Sequence, residues 1–213
     1  MIAVLLAMGA VAQPTHAAAE TAAWRVTGSV DHDALPGIRL SRATVGGIEC
    51  FRGEATTDVD ADALLDVVID IPAHARWSSV RLLDGRLLAS GPTAISYVQV
   101  VDVPGWTMAS DRYWFLQGAI ERTAGRRALR WTPLPADAYA EVRAEIDAAH
   151  PGAIEPPVNL GAWIFELGPA GTAITYYVCS DAGGSMPVAL QHSATARSLP
   201  DTIGALVAEA RRR

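Results

Sequence analysis

Lysine is absent from this chain of 213 residues, in which all 17 basic residues are arginine. That removes the chemistries that need a primary amine: the Walker A phosphate loop, a Schiff base with pyridoxal phosphate and the Ser-x-x-Lys hydrolases. The remaining candidates for proton transfer, nucleophilic attack or metal ligation are five histidines, two cysteines and the carboxylates. Asp58-Val59-Asp60-Ala61-Asp62 opens like a calcium loop, but Ala63 stands where the sixth-position glycine is required and Ile69 where the twelfth-position glutamate is. The run is better explained by Asp60 as an N-cap with acids in the first helical turn. Gly183-Gly184-Ser185-Met186-Pro187 falls one residue short of a nucleophile elbow, with proline in place of the closing glycine. No two of His16, His32, His74, His150 and His192 have the i, i+4 spacing of a zinc motif. His32 sits between two aspartates in an expected surface loop, and His74 and His150 lie beside helix ends. Two cysteines are too few for a four-thiolate cluster but enough for one disulfide. The residues therefore predict no catalytic group, no metal and no cofactor.

Composition bounds the rest. Half of the residues are apolar and 19% are charged, enough to bury a sizeable core. The net charge of −6 disfavours a nucleic-acid partner. Ile2 to Ala12 is an unbroken run of aliphatic and small residues, too short to span a bilayer and of signal-peptide length. Small residues at Thr15-His16-Ala17 and Ala17-Ala18-Ala19 predict cleavage between Ala17 and Ala19. Residues 1–19 are thus expected to be a signal peptide and residues 20–213 a single exported domain, periplasmic or secreted. A basic segment before the run is missing, so either the true start lies upstream or the α-amino group supplies the charge.

The elements that must position any site follow from periodicity and breakers. Gly37 to Arg42 and Ile48 to Thr57 predict a hairpin around Gly46-Gly47. Asp60 opens a helix with Leu64, Leu65, Val67 and Val68 on helical spacing, ending before Pro72. Val80 to Leu83, Thr93 to Asp102, Tyr113 to Ile120 and Arg127 to Thr132 predict further strands, separated by Asp84-Gly85, Pro104-Gly105 and Gly125. A short helix over Ala136 to Ala149 follows, then a hairpin of Val158 to Leu167 with Thr172 to Ser180. Pro187 to Arg211 closes the chain as a long helix, which Pro200 should kink, with an apolar stripe of Leu199, Ile203, Leu206 and Ala210. This is an α+β order, with a largely antiparallel sheet and one long helix to cover it.

Four stretches resemble the START family of lipid-transfer domains over roughly residues 24 to 213. Gly37-Ile38-Arg39-Leu40-Ser41-Arg42 with Phe51-Arg52-Gly53-Glu54 looks like the family's second and third strands. Met108-Ala109-Ser110-Asp111-Arg112-Tyr113 is similar to its Ser-Asp-Arg signature. Asn159, Gly161, Ala162 and Trp163 resemble its Asn-x-Gly-x-Trp strand, and Asp181-Ala182-Gly183-Gly184-Ser185-Met186-Pro187 its entry into the closing helix. The resemblance implies a helix-grip fold, a curved antiparallel sheet wrapped around the C-terminal helix with an internal apolar cavity for one ligand and no cofactor. It departs from the family at Gly118, where some members place an arginine inside the cavity.

By resemblance, Arg112, Trp114 and Leu116 face inward and line the cavity with Trp163, Leu190 and His192. Val103, Trp106 and Met108, in an apolar loop between two strands, belong to the cavity mouth or a membrane contact. The same arrangement makes the strands of Cys50 and Cys179 antiparallel neighbours, which brings the two sulfurs close enough for a possible disulfide. Arg211-Arg212-Arg213 reads as cationic termination of a helix or as attraction to anionic head groups. The expected function is that of a monomeric, non-enzymatic carrier making transient contact with membranes, its ligand a sterol, hopanoid, phospholipid or fatty acid. The alternative is an enzyme of the polyketide cyclase or aromatase type using the same cavity.

Overall fold

The computed structural model describes residues 13–105, 109–181, 183 and 188–213, with residues 188, 190 and 191 described by backbone alone. Nine strands form one antiparallel sheet: β1 (Arg25–His32), β2 (Leu35–Val45), β3 (Ile48–Thr57), β4 (Leu82–Ser90), β5 (Ala94–Val101), β6 (Arg112–Arg122), β7 (Arg126–Pro133), β8 (Val158–Gly168) and β9 (Gly171–Asp181). Their spatial order is β1-β2-β3-β9-β8-β7-β6-β5-β4. Seven of the eight neighbouring pairs are consecutive in the chain, and the remaining one, β3 with β9, joins the two halves. Register shifts between β1 and β2 and between β4 and β5 place irregularities at both edges, where they bend the strands and add twist.

Alternation along the strands sorts side chains to two faces. Tyr97, Leu116, Leu129, Trp131, Trp163 and Ile174 are buried on the concave face. Against them pack α2 (Ala61–Ile69) and α5 (Val188–Arg212). Asp60 caps α2, its Oδ1 accepting from the backbone N–H of Asp62 at 2.8 Å. Leu64, Leu65, Val67 and Val68 then face the core at 0% exposure, as their spacing predicts. In α5 the stripe Leu199, Ile203, Leu206 and Ala210 is buried, together with Val207. The helix comes so close to β3 that a Cβ on Gly53 would lie 2.4 Å from Ile203 Cδ1, so a larger residue there would make the Ile203 side chain shift.

The convex face carries two smaller clusters. One, around Val98, Val100, Tyr113 and Phe115, is covered by Ile146 of α4 (Ala140–Ala149). The other holds Ala162, Ile164, Tyr177, Cys50 and Cys179 and is covered by Ala19 of α1 (His16–Glu20). Cys50 and Cys179 are directly opposite each other in the β3–β9 ladder and are bonded, with Cα atoms 4.2 Å apart. The bond lies on the face away from the helix α5.

Several elements differ from expectation. Asp84-Gly85 does not divide two elements; β4 runs through it, with a register shift between Leu82 and Asp84 absorbing the irregularity. Arg25 to His32 forms a strand that its exposed and weakly alternating residues do not announce. His32 ends that strand instead of lying in a loop, and its Nδ1 accepts from the Ala34 N–H at 3.1 Å. The helix expected from Ala136 begins at Ala140, after Tyr139 in a left-handed conformation. Residues 1–12 of the expected signal peptide lie outside the described residues. Its last residues lie in α1 (His16–Glu20), and a cut between Ala17 and Ala19 would divide that helix.

Candidate functional site

Between the concave face and the helices lies a cavity of about 260 Å³. Its floor is aromatic. Trp163 of β8 stacks on Tyr176 of β9 with ring centroids 4.0 Å apart, and Trp131 of β7 flanks Tyr176 at 6.1 Å. Flat rings in offset contact fill a curved sheet without leaving polar groups exposed. Leu116 and Leu129 continue the floor toward β6, and Tyr97, Gln99 and Val101 of β5 form one wall. Val68 of α2 and Thr195 and Thr202 of α5 contribute the opposite side. Gly118 packs tightly against two apolar side chains. A Cβ there would stand 2.7 Å from Leu129 Cδ1 and 3.0 Å from Ile95 Cγ1.

The cavity's most polar wall comes from the segment after α2. Pro72 ends the α-helical run, a 3-10 turn spans Ile71–Ala73, and α3 (His74–Trp77) follows. This reversal turns His74 and Trp77 toward the sheet, with their rings 5.0 Å apart, edge to face. His74 Nε2 is 3.0 Å from the Val68 carbonyl and Nδ1 is 2.8 Å from Gln99 Nε2. The pairing fixes the neutral tautomer: Nε2–H donates to Val68, and Nδ1 accepts from the Gln99 amide. Burial pushes the His74 pKa down to about 4, against a weaker upward pull from the Val68 carbonyl and Asp70. Burial likewise pushes the Tyr176 phenol up to about 12 and raises that of Tyr97 further, with the nearby Tyr176 adding to the effect. All three side chains are neutral across the physiological range. Among the described residues the lining includes no arginine, aspartate, glutamate or cysteine.

Of the residues the sequence singles out, Trp114, Leu116 and Trp163 line the cavity. Arg112 is buried but sits at the end of the strand, where its guanidinium donates to the carbonyl oxygens of Ser110, Asp111 and Gly183. It thereby ties the β5–β6 connection to the β9–α5 connection. His192 lies elsewhere, in a separate recess of about 250 Å³ between β2, β3 and α5, with its ring 5.5 Å from that of Phe51. Val103 is half-buried and donates its N–H to Asp111 Oδ1 at 2.9 Å, outside the cavity lining. Trp106, Met108 and the side chain of Leu190 lie outside the described residues.

The C-terminal arginines have ion-pair partners: Arg211 with Asp58 at 2.7 Å, Arg213 with Asp70 at 2.9 Å, and Arg212 with Glu209. They pin the end of α5 to the ends of β3 and α2. Sequence reasoning misses His74, Trp77, Gln99, Tyr97 and Tyr176 as cavity residues. For Tyr97 and Gln99 a signal exists, since they alternate with the apolar Val98 and Val100 along one strand. For His74 and Trp77, on a four-residue helix, there is none. Among the described residues no cluster of histidine, cysteine and carboxylate groups is placed to hold a metal ion, and no helix is long and apolar enough to cross a membrane.

No protein-family model matches the chain, and no curated protein matches it significantly. Solved structures do. A STAR-related lipid transfer protein from Xanthomonas axonopodis superposes with a TM-score of 0.71 at 21% identity, over 88% of this chain and 98% of that one. Human STARD10 gives 0.72 at 16% identity, over 89% and 73% of the respective chains. The Zhui aromatase/cyclase from Streptomyces sp. R1128 gives 0.56 at 16% identity, over 77% and 94%. With nine antiparallel strands curved over a C-terminal helix, this chain has the START-like helix-grip fold, an α+β architecture shared by lipid transfer proteins and aromatase/cyclases.

Proposed function

We propose that the protein is a non-enzymatic carrier that shields one apolar molecule from water inside this cavity and exchanges it with membranes. The observation that carries the reading is the cavity itself: a space between sheet and helices, walled mainly by aromatic and aliphatic side chains. Such a lining supplies affinity through burial, about 0.8 kcal/mol for each methylene removed from water, without needing precise polar contacts. The likeness to lipid transfer structures supports the same reading. The ligand belongs among sterols, hopanoids, phospholipids and fatty acids. An exported, monomeric protein of the periplasm or extracellular space would carry it between membranes, touching each transiently. The disulfide fits an oxidising compartment.

The likeness to an aromatase/cyclase favours a second reading, an enzyme in the same cavity. The candidate acid or base would be His74, but both of its nitrogens are already engaged, by Val68 and Gln99. Proton transfer needs a group within reach of the substrate and free to exchange its proton. Purified protein, extracted under native conditions and analysed by lipid mass spectrometry, should release one class of apolar molecule in near-stoichiometric amount. It should also move that molecule between donor and acceptor vesicles. Failure of both, with turnover of a cyclisable polyketide analogue, would replace the carrier by the enzyme.

A further inference from the structure

The indole N–H groups of Trp77 and Trp114 are both buried and meet no acceptor among the described residues, and both rings line the cavity. A run of contacts connects them. Trp77 packs on His74, His74 bonds Gln99, and Gln99 is the cross-strand partner of Trp114. Trp131, in contrast, donates its indole N–H to Asn159 Oδ1 at 3.0 Å, so a satisfied indole is within the means of this cavity. A buried donor without an acceptor is costly, and an acceptor brought in by a bound molecule removes that cost.

The charge of the acceptor follows from what surrounds it. A carboxylate or phosphate buried here would find no cation, because the lining holds no arginine and the protein has no lysine. Unpaired charge is strongly disfavoured in such a site. Size follows from the volume: about 260 Å³ lies just below the range of about 300–1,000 Å³ usual for small-molecule sites.

We propose that the occupant is a compact apolar molecule bearing an uncharged oxygen acceptor, a carbonyl or hydroxyl, received by the indole N–H of Trp77 or Trp114. This rests on the carrier reading and narrows its ligand class away from two-chain phospholipids and fatty-acid anions. Flat aromatic walls at Trp163, Tyr176 and Trp131 suit a fused-ring body.

Three probes of one shape test it: phenanthrene, phenanthrene-9-carbaldehyde and phenanthrene-9-carboxylate. A protein without lysine has no side-chain amine to condense with the aldehyde. Calorimetric titration should show the aldehyde binding about fivefold more tightly than phenanthrene, the scale of one hydrogen bond, and the carboxylate more weakly than either. Trp77→Phe and Trp114→Phe keep a ring and remove the donor. Each should reduce the ratio of aldehyde to phenanthrene affinity, whatever it does to phenanthrene affinity itself, and thermal unfolding shows that the variant is folded. In the wild type the indole ¹⁵N–H resonances of both tryptophans should move downfield with the aldehyde beyond their movement with phenanthrene. Phosphatidylcholine vesicles should fail to displace the bound aldehyde.

Equal affinity for aldehyde and hydrocarbon, tightest binding of the carboxylate, displacement by phosphatidylcholine, or a preference that survives in both variants would overturn the inference while phenanthrene binding upholds the carrier. If folded protein bound none of the three, inference and carrier reading would fall together.

Discussion

His74 is a buried imidazole whose neutrality is part of the fold. Its folded pKa of about 4 lies below the ordinary 6.5, chiefly because burial penalises the charged ring, with Asp70 opposing that shift and Arg213 adding to it. Between these two values the unfolded chain binds more protons than the folded one. Stability therefore rises with pH across this window, is fully present above about 6.5 and is lost as the pH falls toward 4. The loss should be at most about 3 kcal/mol. Urea unfolding midpoints measured from pH 4.5 to 7.5 should show this slope in the wild type, and His74→Asn should flatten it. The carboxylates of Glu20, Asp58, Asp62 and Glu209, held low in the folded chain by their arginine partners, act in a lower window, through and below about pH 4. Trp114 permits a second test at this scale. Trp114→Glu would put an unpaired carboxylate against an apolar ligand and should weaken phenanthrene binding at least about a hundredfold, measured by titration. Strand alternation separates Trp114 from Tyr113 and Phe115 in the sequence, but that its face is the inward one was legible only through the family resemblance. His74 and Trp77 were not legible, because a four-residue helix after a proline leaves no periodicity to read.

Among the elements, those with a clear period or a clear breaker are placed by sequence to within a residue or two: Ile48–Thr57 as β3, the Asp60-capped α2, and α5 with its buried stripe. The failures share a cause. Asp84-Gly85 has the composition of a turn, yet pairing with Val100 and Gln99 of β5 holds it extended, so tertiary contact overrides local preference. β1 has little buried apolar surface and exists through its ladder with β2. The pairing of Cys50 with Cys179 depends on a register between strands far apart in sequence, which the residues alone do not determine. Closing a separation of 129 residues, the bond joins β3 to β9, where the two sequential halves of the sheet meet. Cys50→Ser with Cys179→Ser should cost about 2–4 kcal/mol in denaturant unfolding, and reducing agent should have the same effect on the wild type. Phenanthrene affinity at low denaturant should be little changed, because the bond lies on the convex face.

For the whole molecule, the carrier reading predicts the direction in which a ligand leaves from where the cavity meets the sheet's end. Val101 closes β5, Trp114 stands near the start of β6, Asn159 near the start of β8 and Ser180 near the end of β9; all four line the cavity. These positions converge on the β5–β6 and β9–α5 connections, the pair that Arg112 joins through the carbonyls of Ser110, Asp111 and Gly183. The far end is anchored differently. There Arg211 holds Asp58, Arg213 holds Asp70, and Leu206, Val207 and Ala210 are buried against the sheet and α2, so opening at that end would break ion pairs and core together. On the carrier reading, the end expected to open is the one that Arg112 ties. A buried guanidinium bonded to carbonyls contributes about 1.5–3 kcal/mol, so its removal should lower the barrier to opening by a comparable amount. Arg112→Ala should speed transfer of a fluorescent apolar probe from protein to vesicles about tenfold or more, with a much smaller change in equilibrium affinity, since the guanidinium does not line the cavity. Stopped-flow transfer alongside equilibrium titration separates the two quantities, and thermal unfolding of the same variant reports how far the closed connections also support the fold. An unchanged transfer rate in a folded variant would place the exit elsewhere and leave Arg112 a purely structural tie.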